Sequence, residues 1–369
     1  MSAANEPAPR WTFTRATALL GIEYPIIQGA LGGFSTQLLA AVVSNAGGLG
    51  SYGAHGQSGT AIKDIVSEIK AITKKPFAIN LWLSMADDGA ESVSRKTIKE
   101  SVAALSRYYV ELGVDPPAAP EFKPQNFDEQ IRAVFESKPA VFSFILGVPP
   151  REILDECKHL GIVTMGTATT PEEAMALDAA KVDLIVASGF EAGGHRGSFI
   201  RSSERSLTGG ISLIPQVVDA VRAPVMAAGG IADARGMVAA FALGAEAVQI
   251  GTAFLACDES GASAQHRAAL FGRNGAFTDL TKTFTGRLAR GIRNRLMDEL
   301  ETANLTVLPY PLQRSLMKTV VAEAQEQGQA ELMQLWAGQS ISLLRHHSAS
   351  ALVASLVADA TSLLNRMAR

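Results

Sequence analysis

The chain has 369 residues, of which 47% are hydrophobic and 19% are charged, and its formal net charge at pH 7 is -3. This balance indicates a globular protein with a large core and excludes a disordered chain. The small net charge argues against nonspecific binding to nucleic acid or to an anionic membrane, so any phosphate site must be local.

The first residues, MSAANEPAPR, lack the apolar stretch of a secretory signal, and we expect residues 1–14 to form a disordered lead. No run approaches the roughly 18 consecutive apolar residues of a membrane-spanning helix. Cys157 and Cys257 have no partner at a spacing typical of a zinc site or a disulfide framework, and the histidines offer no such spacing either. These features predict a cytoplasmic protein without a metal site.

Short apolar segments that end in small residues recur along the chain, each followed by a helical pattern. Such alternation is typical of a parallel sheet whose strands are buried on both faces. Helix signals agree, with Thr170 and Pro171 starting one helix and Asp233 capping another. The α/β pattern predicts a closed (β/α)8 TIM barrel, with an open doubly wound sheet as the alternative. The predicted strands are 24–30, 48–54, 77–83, 141–147, 162–168, 183–189, 224–230 and 247–253.

Two regions depart from this pattern. Residues 85–130 are polar and rich in proline, which predicts an insertion after the third strand, over the barrel mouth. After about Ser260 the sequence becomes helical, and we expect 261–369 to form a helical lid or subdomain. The barrel is then expected to occupy 15–260.

The last two predicted strands end in Gly229-Gly230 and in Gly251-Thr252. Barrels often bind phosphate in these two loops, through backbone N–H groups and a short helix terminus. The pattern therefore favours a phosphate site, although glycines also end strands simply as turn residues.

Three amides lie at or near strand ends, namely Gln28, Asn80 and Gln249. A buried amide is stable only when it is hydrogen-bonded, so each one either supports the barrel or contacts a ligand. For Asn80, at the mouth, we favour the ligand, and for Gln249 both interpretations stay open.

The segment ASGFEAGGHRGSF runs from the sixth strand into a glycine-rich loop. Its glycines allow the backbone to approach a ligand closely. His195 is then expected at the mouth, where a side chain that titrates near neutrality can take a proton. The alternative is a histidine held by backbone carbonyls. We expect Glu191 and Arg196 to brace the loop. His55 follows the second strand and could reach the mouth, but we do not favour a role for it there.

Basic residues are frequent in the C-terminal third. The run of arginines between 287 and 295 is expected to form a solvated face. Tyr310, Arg314 and Lys318 recur every four residues, so they share one helical face. If that helix covers the mouth, the three side chains, Tyr310 and Lys318 foremost, are candidates to hold an anionic substrate, and a surface stripe is the alternative.

Six motifs resemble the nitronate monooxygenases, formerly called 2-nitropropane dioxygenases. They occur in family order between Pro25 and Glu259, which is more specific than a single glycine loop. A weaker likeness continues in TGRLARGIRN and LWAGQ. The motifs are PIIQGALGGFS, AAVVSNAGGLGSYGAHG, KPFAINLWLS, ASGFEAGGHRGSF, APVMAAGGIAD and AVQIGTAFLA.

The resemblance implies an FMN-bound barrel that oxidises alkyl nitronates with O₂ to carbonyl compounds and nitrite, with His195 as the catalytic residue. Many relatives carry Gln where Ser188 stands, and we expect the flavin contact of the shorter hydroxyl to be lost or bridged by water. The flavin positions that match the family are Asn80, Ser188, Gly193, Gly230, Gln249, Ile250, Gly251 and Thr252, and the strand ends and the loop add Gln28, Gly29, Ala30, Gly194 and Gly229.

Two other functions compete with this interpretation. A flavin-barrel NAD(P)H-dependent reductase, acting on a quinone or an enoyl thioester, would share the same cofactor motifs. A sugar-phosphate isomerase or lyase would need a lysine or a carboxylate pair at the strand ends, which carry amides, hydroxyls and glycines. The sequence leaves the physiological substrate, the electron acceptor and the oligomeric state open, and it is compatible with a homo-oligomer.

Overall fold

The computed structural model describes residues 10–84, 87, 89–117, 125–272, 277–303 and 306–369. In this part of the chain, eight parallel strands form one sheet in the order β1-β9-β8-β6-β5-β4-β3-β2. A bridge between Ile27 and Leu49 joins β1 to β2 and closes the barrel. Strands β1 to β11 are Ile26–Gln28, Gly50–Gly53, Phe77–Trp82, Val141–Ile145, Val163–Ala168, Leu184–Ser188, Gly194–His195, Val225–Ala228, Ala247–Ile250, Thr278–Thr281 and Ala289–Ile292.

All eight predicted barrel strands are present, which confirms the TIM barrel and excludes the open sheet. Helices follow the strands and surround the barrel. Helices α1 to α15 are Arg15–Leu20, Gln37–Asn45, Gly59–Ile72, Arg95–Ala104, Ser106–Leu112, Phe127–Ser137, Arg151–His159, Pro171–Ala179, Gly210–Ala220, Ala234–Ala242, Thr252–Leu255, Ala264–Phe271, Arg295–Thr302, Leu312–Glu326 and Ala349–Met367. Short 3-10 turns lie at Arg10–Thr12, Ala90–Ser92, Ser203–Arg205, Ala330–Leu332 and Ile341–Leu343.

Local sequence explains where several helices begin. The Thr170 side chain accepts a hydrogen bond from the backbone N–H of Glu173, and Pro171 is the first residue of α8. The Asp233 side chain accepts from the backbone at the start of α10 in the same way. These caps place the helices directly after the strand ends and keep the intervening loops short.

The barrel interior is apolar and closed at its amino end. Ala16 and Leu20 of α1 pack with strand residues such as Ile27, Val186 and Met226 in one buried cluster. Since α1 covers this end, a ligand can enter the barrel only from the carboxyl ends of the strands.

Residues 1–9 of the predicted lead lie outside the described residues. Arg10–Thr12 form a 3-10 turn, Thr12 is buried, and Trp11 Nε1 donates a hydrogen bond to Thr361 Oγ1 at 3.0 Å. The indole ring also packs on Phe241. The expectation of disorder is therefore wrong for residues 10–14, because the partly buried Trp11 and the buried Thr12 attach this segment to the barrel.

The predicted insertion is partly helical. Residues 85, 86, 88 and 118–124 lie outside the described residues, while α4 and α5 pack on each other and α5 also contacts α14. Helix α6 packs against α3 and α7 and is the barrel helix that follows β3. The insertion between β3 and α6 therefore contacts the C-terminal region.

The C-terminal region differs from a purely helical lid. Strands β10 and β11 form an antiparallel pair, and β11 also pairs with β7, which carries His195. The helical expectation is wrong for 278–292, where Gly286 has a φ of +88° and interrupts any helix. The last helix, α15, packs between α10 and α2, so it completes the outer ring of the barrel.

Candidate active site

A cavity lies at the carboxyl ends of the barrel strands, where the fold predicts a ligand. Its wall brings together most of the residues that the sequence singled out, although they are distant in the chain. Their role as flavin ligands stays a prediction. The predicted residues in the wall are Gly29, Ala30, Asn80, Ser188, Gly193, Gly194, His195, Gly229, Gly230, Gln249, Gly251 and Thr252.

Two predicted cofactor residues do not reach this wall. The Gln28 side chain is fully buried, its Nε2 donates to the Ser51 carbonyl at 2.7 Å, and its Oε1 accepts from the Ser51 N–H at 3.1 Å. It therefore supports the seam between β1 and β2. Ile250 is fully buried in the hydrophobic core around the barrel. Neither residue therefore lines the cavity, and their role in cofactor binding stays a prediction.

One end of the cavity is formed by the loops after β8 and β9. Gly229 and Gly230 have φ values of +101° and +70°, a conformation that favours glycine. Thr252 is the first residue of α11, and the first turn of a helix leaves backbone N–H groups without intrahelical acceptors. Such a concave array of N–H groups is suited to a phosphate.

The loop that follows β6 is braced from within, as expected. The buried guanidinium of Arg196 donates to the carbonyls of Gly189 at 2.7 Å and Ser188 at 2.8 Å, and burial lowers the pKa of Arg196 to about 10. The Glu191 carboxylate accepts from the Gly210 N–H at 2.8 Å. These bonds hold the glycine-rich loop against the strand end and place His195 beyond it.

His195 lies in the cavity wall among aromatic rings. The ring centroids of Trp82 and Trp336 lie 5.1 Å and 5.4 Å from the imidazole, and its Nε2 lies 2.9 Å from Thr285 Oγ1. Burial lowers the pKa of His195 to about 3, and His55, Arg314 and Arg287 contribute in the same direction. The imidazole is therefore neutral near pH 7, as a base must be, and it does not titrate near the usual value.

His55 also lines the cavity, a position that the sequence allowed but did not favour. Its ring stacks on Trp82 with centroids 4.1 Å apart, and burial lowers the pKa of His55 to about 3. A Cβ on Gly32 would lie only 2.4 Å from Cε1 of His55, so the missing side chain makes room for the ring. Gln130 Nε2 donates to the His55 carbonyl at 3.0 Å and fixes the loop.

The three residues of the predicted substrate stripe are separated by the structure. Arg314 lines the cavity, and its Nη1 donates to the Tyr310 hydroxyl at 3.2 Å. Tyr310 is fully buried behind the wall, with its ring centroid 6.5 Å from that of His195. Lys318 is exposed on α14 and is absent from the wall. Arg314, and not Lys318, is therefore the cation that faces the cavity from this stripe.

The arginines after residue 286 do not form one solvated face. Arg287 is buried over the ring of Tyr310, and its Nε bonds to Asp87 at 2.6 Å. Arg290 is also buried and donates to the Phe190 carbonyl at 3.0 Å. Only Arg293 of these three follows the expectation, since it lies in a partly exposed network of ion pairs.

Four wall residues come from a segment that the sequence analysis linked to the site only through the weak LWAGQ likeness. The Gly338 N–H donates to Thr252 Oγ1 at 2.9 Å, and the Ser340 hydroxyl donates to the Gly230 carbonyl at 2.5 Å. The segment thus covers the end of the cavity that the loops after β8 and β9 form. Its wall residues are Gln334, Trp336, Gly338 and Ser340.

Within the described residues, no group of three or more His, Cys, Asp or Glu side chains is arranged to hold a metal ion. The described helices include none that is long and apolar enough to cross a membrane.

Comparisons with known proteins identify similar chains. The family model described as "Nitronate monooxygenase" matches residues 14–359. A probable nitronate monooxygenase of Staphylococcus saprophyticus is 38% identical over 355 residues, which cover 96% of this chain and 99% of the relative. A probable nitronate monooxygenase of Staphylococcus aureus strain JH9 is 38% identical over 348 residues, or 94% of this chain and 97% of the relative.

Solved structures are similar over the same length. Nitroalkane oxidase from Streptomyces ansochromogenes has a TM-score of 0.87 and 34% identity, and the match covers 96% of this chain and 100% of the other. FabK from Thermotoga maritima has a TM-score of 0.75 and 28% identity, with 96% and 98% of the two chains covered.

Proposed function

This chain belongs to the nitronate monooxygenase family, and we propose that it is an FMN enzyme that oxidises alkyl nitronates with O₂ to carbonyl compounds and nitrite. Family membership makes the chain an oxidoreductase that acts on nitronates or nitroalkanes. Our proposal goes further than family membership in three respects, which are FMN as the cofactor, O₂ as the electron acceptor, and a carbonyl compound and nitrite as the products. Neutral nitroalkanes are proposed as further substrates, because the cavity holds a base.

The residues present fit a flavin mononucleotide. The glycine turns of Gly229 and Gly230 and the start of α11 support a phosphate site, because they offer backbone N–H groups at a helix terminus. Glycines along the wall allow close approach of a planar ring, and Asn80, with its Nδ2 bonded to Ser143 Oγ at 3.0 Å, is a polar group beside that space. When bound, the flavin supplies the two-electron acceptor for the nitronate.

The observation that carries the proposal is the neutral imidazole of His195 in the cavity wall. A nitroalkane gives up its α-proton only to a base, and a nitronate has already lost that proton. The aromatic rings of Trp82 and Trp336 pack beside the imidazole, and burial lowers its pKa so that the ring is uncharged near pH 7. His195 is therefore unprotonated near pH 7, which is the state that a base requires.

Arg314 is the proposed cation for an anionic substrate. It faces the cavity, while Lys318 lies four residues away on the same helix and faces solvent. Arg314→Met should raise the KM for a nitronate that carries a carboxylate about fivefold, the upper range for an exposed charge pair. The KM for an uncharged alkyl nitronate should change less.

Lys318→Met is the matched control, because it removes the same charge outside the cavity. Steady-state kinetics of both variants with both substrates measure the effect. Equal KM changes in the two variants, or equal changes for the two substrates, would argue against Arg314 as the substrate cation.

A flavin-barrel reductase is the second candidate, because it would share the same cofactor motifs. The purified protein should show the visible spectrum of a flavin and release FMN on denaturation. It is then mixed anaerobically with an alkyl nitronate and, separately, with NADH or NADPH. Bleaching of the flavin by the nitronate alone supports the proposed oxidation.

The other two outcomes of this experiment would contradict the proposed oxidation of nitronates. Bleaching by NADH or NADPH alone would assign the chain to the reductases. A colourless protein that FMN does not reconstitute would remove both candidates.

A further inference from the structure

We propose that Thr285 is a positioning residue that fixes the tautomer of His195, with the proton on Nε2 and a free lone pair on Nδ1. Nδ1 is then the nitrogen that takes the α-proton of a nitroalkane. The identity of that substrate rests on the proposed function, whereas the tautomer does not.

The hydroxyl of Thr285 lies between two groups. Its Oγ1 is 2.9 Å from Nε2 of His195 and 3.2 Å from the carbonyl oxygen of Arg287. Thr285 is 2% exposed, so water does not compete for the hydroxyl. Both contacts are within hydrogen-bonding distance, and the question is which of them the single hydroxyl proton serves.

Only one assignment of the hydroxyl proton satisfies both contacts. A hydroxyl donates one hydrogen bond and accepts others, a carbonyl only accepts, and a neutral imidazole has one N–H and one bare nitrogen. If Thr285 donates to the Arg287 carbonyl, it accepts from Nε2–H, and both contacts are satisfied. If it donated to Nε2, the Arg287 carbonyl would lose the donor that the described residues offer it, which is costly in a buried site.

The geometry around this bond is rigid. Thr285 belongs to the turn between β10 and β11, and β11 pairs with β7, where Ala289 is opposite His195. A Cβ on Gly286 would lie 2.4 Å from the Leu308 carbonyl, so the turn packs closely on the segment before α14. The Thr285 hydroxyl is therefore held in a turn of the same small sheet that carries the His195 imidazole.

The tautomer matters because His195 is neutral. Burial lowers its pKa to about 3, so near pH 7 a single proton is distributed between the two ring nitrogens. A base that carries this proton on the nitrogen facing the substrate cannot accept another one there. By fixing the proton on Nε2, Thr285 keeps the reactive lone pair available on Nδ1.

In the proposed step, one proton moves from the substrate to His195. The α-carbon of the nitroalkane loses a proton to Nδ1, and the C–H electron pair stays on the substrate, which becomes a nitronate. His195 becomes an imidazolium whose Nε2–H continues to donate to Thr285 Oγ1. A substrate supplied as the nitronate needs no such step, so it should depend little on Thr285.

The kinetic test compares Thr285→Val, which keeps the shape but removes the hydroxyl, with Thr285→Ser, which keeps the hydroxyl. Thr285→Val should lower kcat for a neutral nitroalkane about tenfold, as expected for one lost buried hydrogen bond, and change nitronate oxidation by less than about twofold. Thr285→Ser should keep both rates close to those of the parent. A Thr285→Val enzyme with parental rates on both substrates would overturn the proposal.

The spectroscopic test is independent of activity. The purified holoenzyme, labelled with ¹⁵N-histidine, is studied by NMR near pH 7, and the His195 signals are identified by their loss in His195→Asn. The parent and Thr285→Ser should show a protonated Nε2 and a bare Nδ1, and Thr285→Val should show a mixture. A proton on Nδ1 in the parent would overturn the proposal.

The two measurements distinguish a failure of the tautomer proposal from a failure of the proposed function. A parent enzyme that ignores neutral nitroalkanes removes that part of the proposed function, while its spectrum still decides the tautomer. If Thr285→Val does not fold, the spectra of the parent and Thr285→Ser decide it alone.

Discussion

Replacing His195 with asparagine is expected to slow turnover of a neutral nitroalkane about 10²–10⁴-fold, the effect of removing a positioned general base. Asparagine has no basic nitrogen, while its amide can still accept or donate a hydrogen bond near Thr285. Oxidation of a pre-formed nitronate should fall much less, because that substrate arrives without the α-proton. Steady-state rates with both substrate forms measure the difference.

The pH profile gives a second readout. Protonation removes the base, and burial with the neighbouring His55, Arg287 and Arg314 lowers the pKa of His195 to about 3. The rate with a neutral nitroalkane should therefore show no loss due to His195 as the pH falls from 8 to 5. A loss centred near 6.5, absent in His195→Asn, would mean that the site lets the imidazole titrate normally.

An exposed histidine supplies the matched control for this variant. His159 is exposed at the end of α7, and His159→Asn should leave both rates unchanged. Parental rates in His195→Asn for both substrates would show that His195 is structural.

Replacing Gly230 with aspartate is expected to abolish retention of FMN. Gly230 has a φ of +70°, which asparagine and aspartate tolerate better than other side chains, so the chain should still fold. A Cβ there would lie 3.3 Å from Cβ of Glu191, which requires only a small local adjustment. The carboxylate would then lie beside the proposed phosphate and repel it.

Gly230→Asn is the control, because it has the same shape without the charge. The flavin content after gel filtration and the FMN dissociation constant measure the effect, and circular dichroism checks the fold. We expect Gly230→Asn to bind FMN far more tightly than Gly230→Asp. Equal and full occupancy in both variants would place the phosphate elsewhere.

The sequence determined the barrel and much of its mouth. Continuous apolar strands with glycines at their ends are local signals, because strand pairing buries both faces and tight βα turns need small residues. The same signals placed His195 in a glycine-rich loop after β6 and placed Gly230 at the end of β8.

Other features depended on packing between distant segments. The Gln28 side chain bonds the Ser51 backbone across the seam between β1 and β2, whereas Asn80 reaches the cavity. No local pattern showed that Arg287 would be buried against Tyr310, or that Trp336 would cover the mouth. These contacts join residues that are far apart in the chain.

The protonation state of His195 depends on the tertiary structure. A histidine in the sequence has an ordinary pKa, and only the burial of the ring and the nearby cations make His195 a neutral imidazole, to which Thr285 gives a defined hydrogen bond. Desolvation and charge act through space, so they depend on which side chains surround a group and not on its neighbours in sequence. The sequence thus determined the barrel and the position of its histidine, and the tertiary structure decided the protonation state of that histidine.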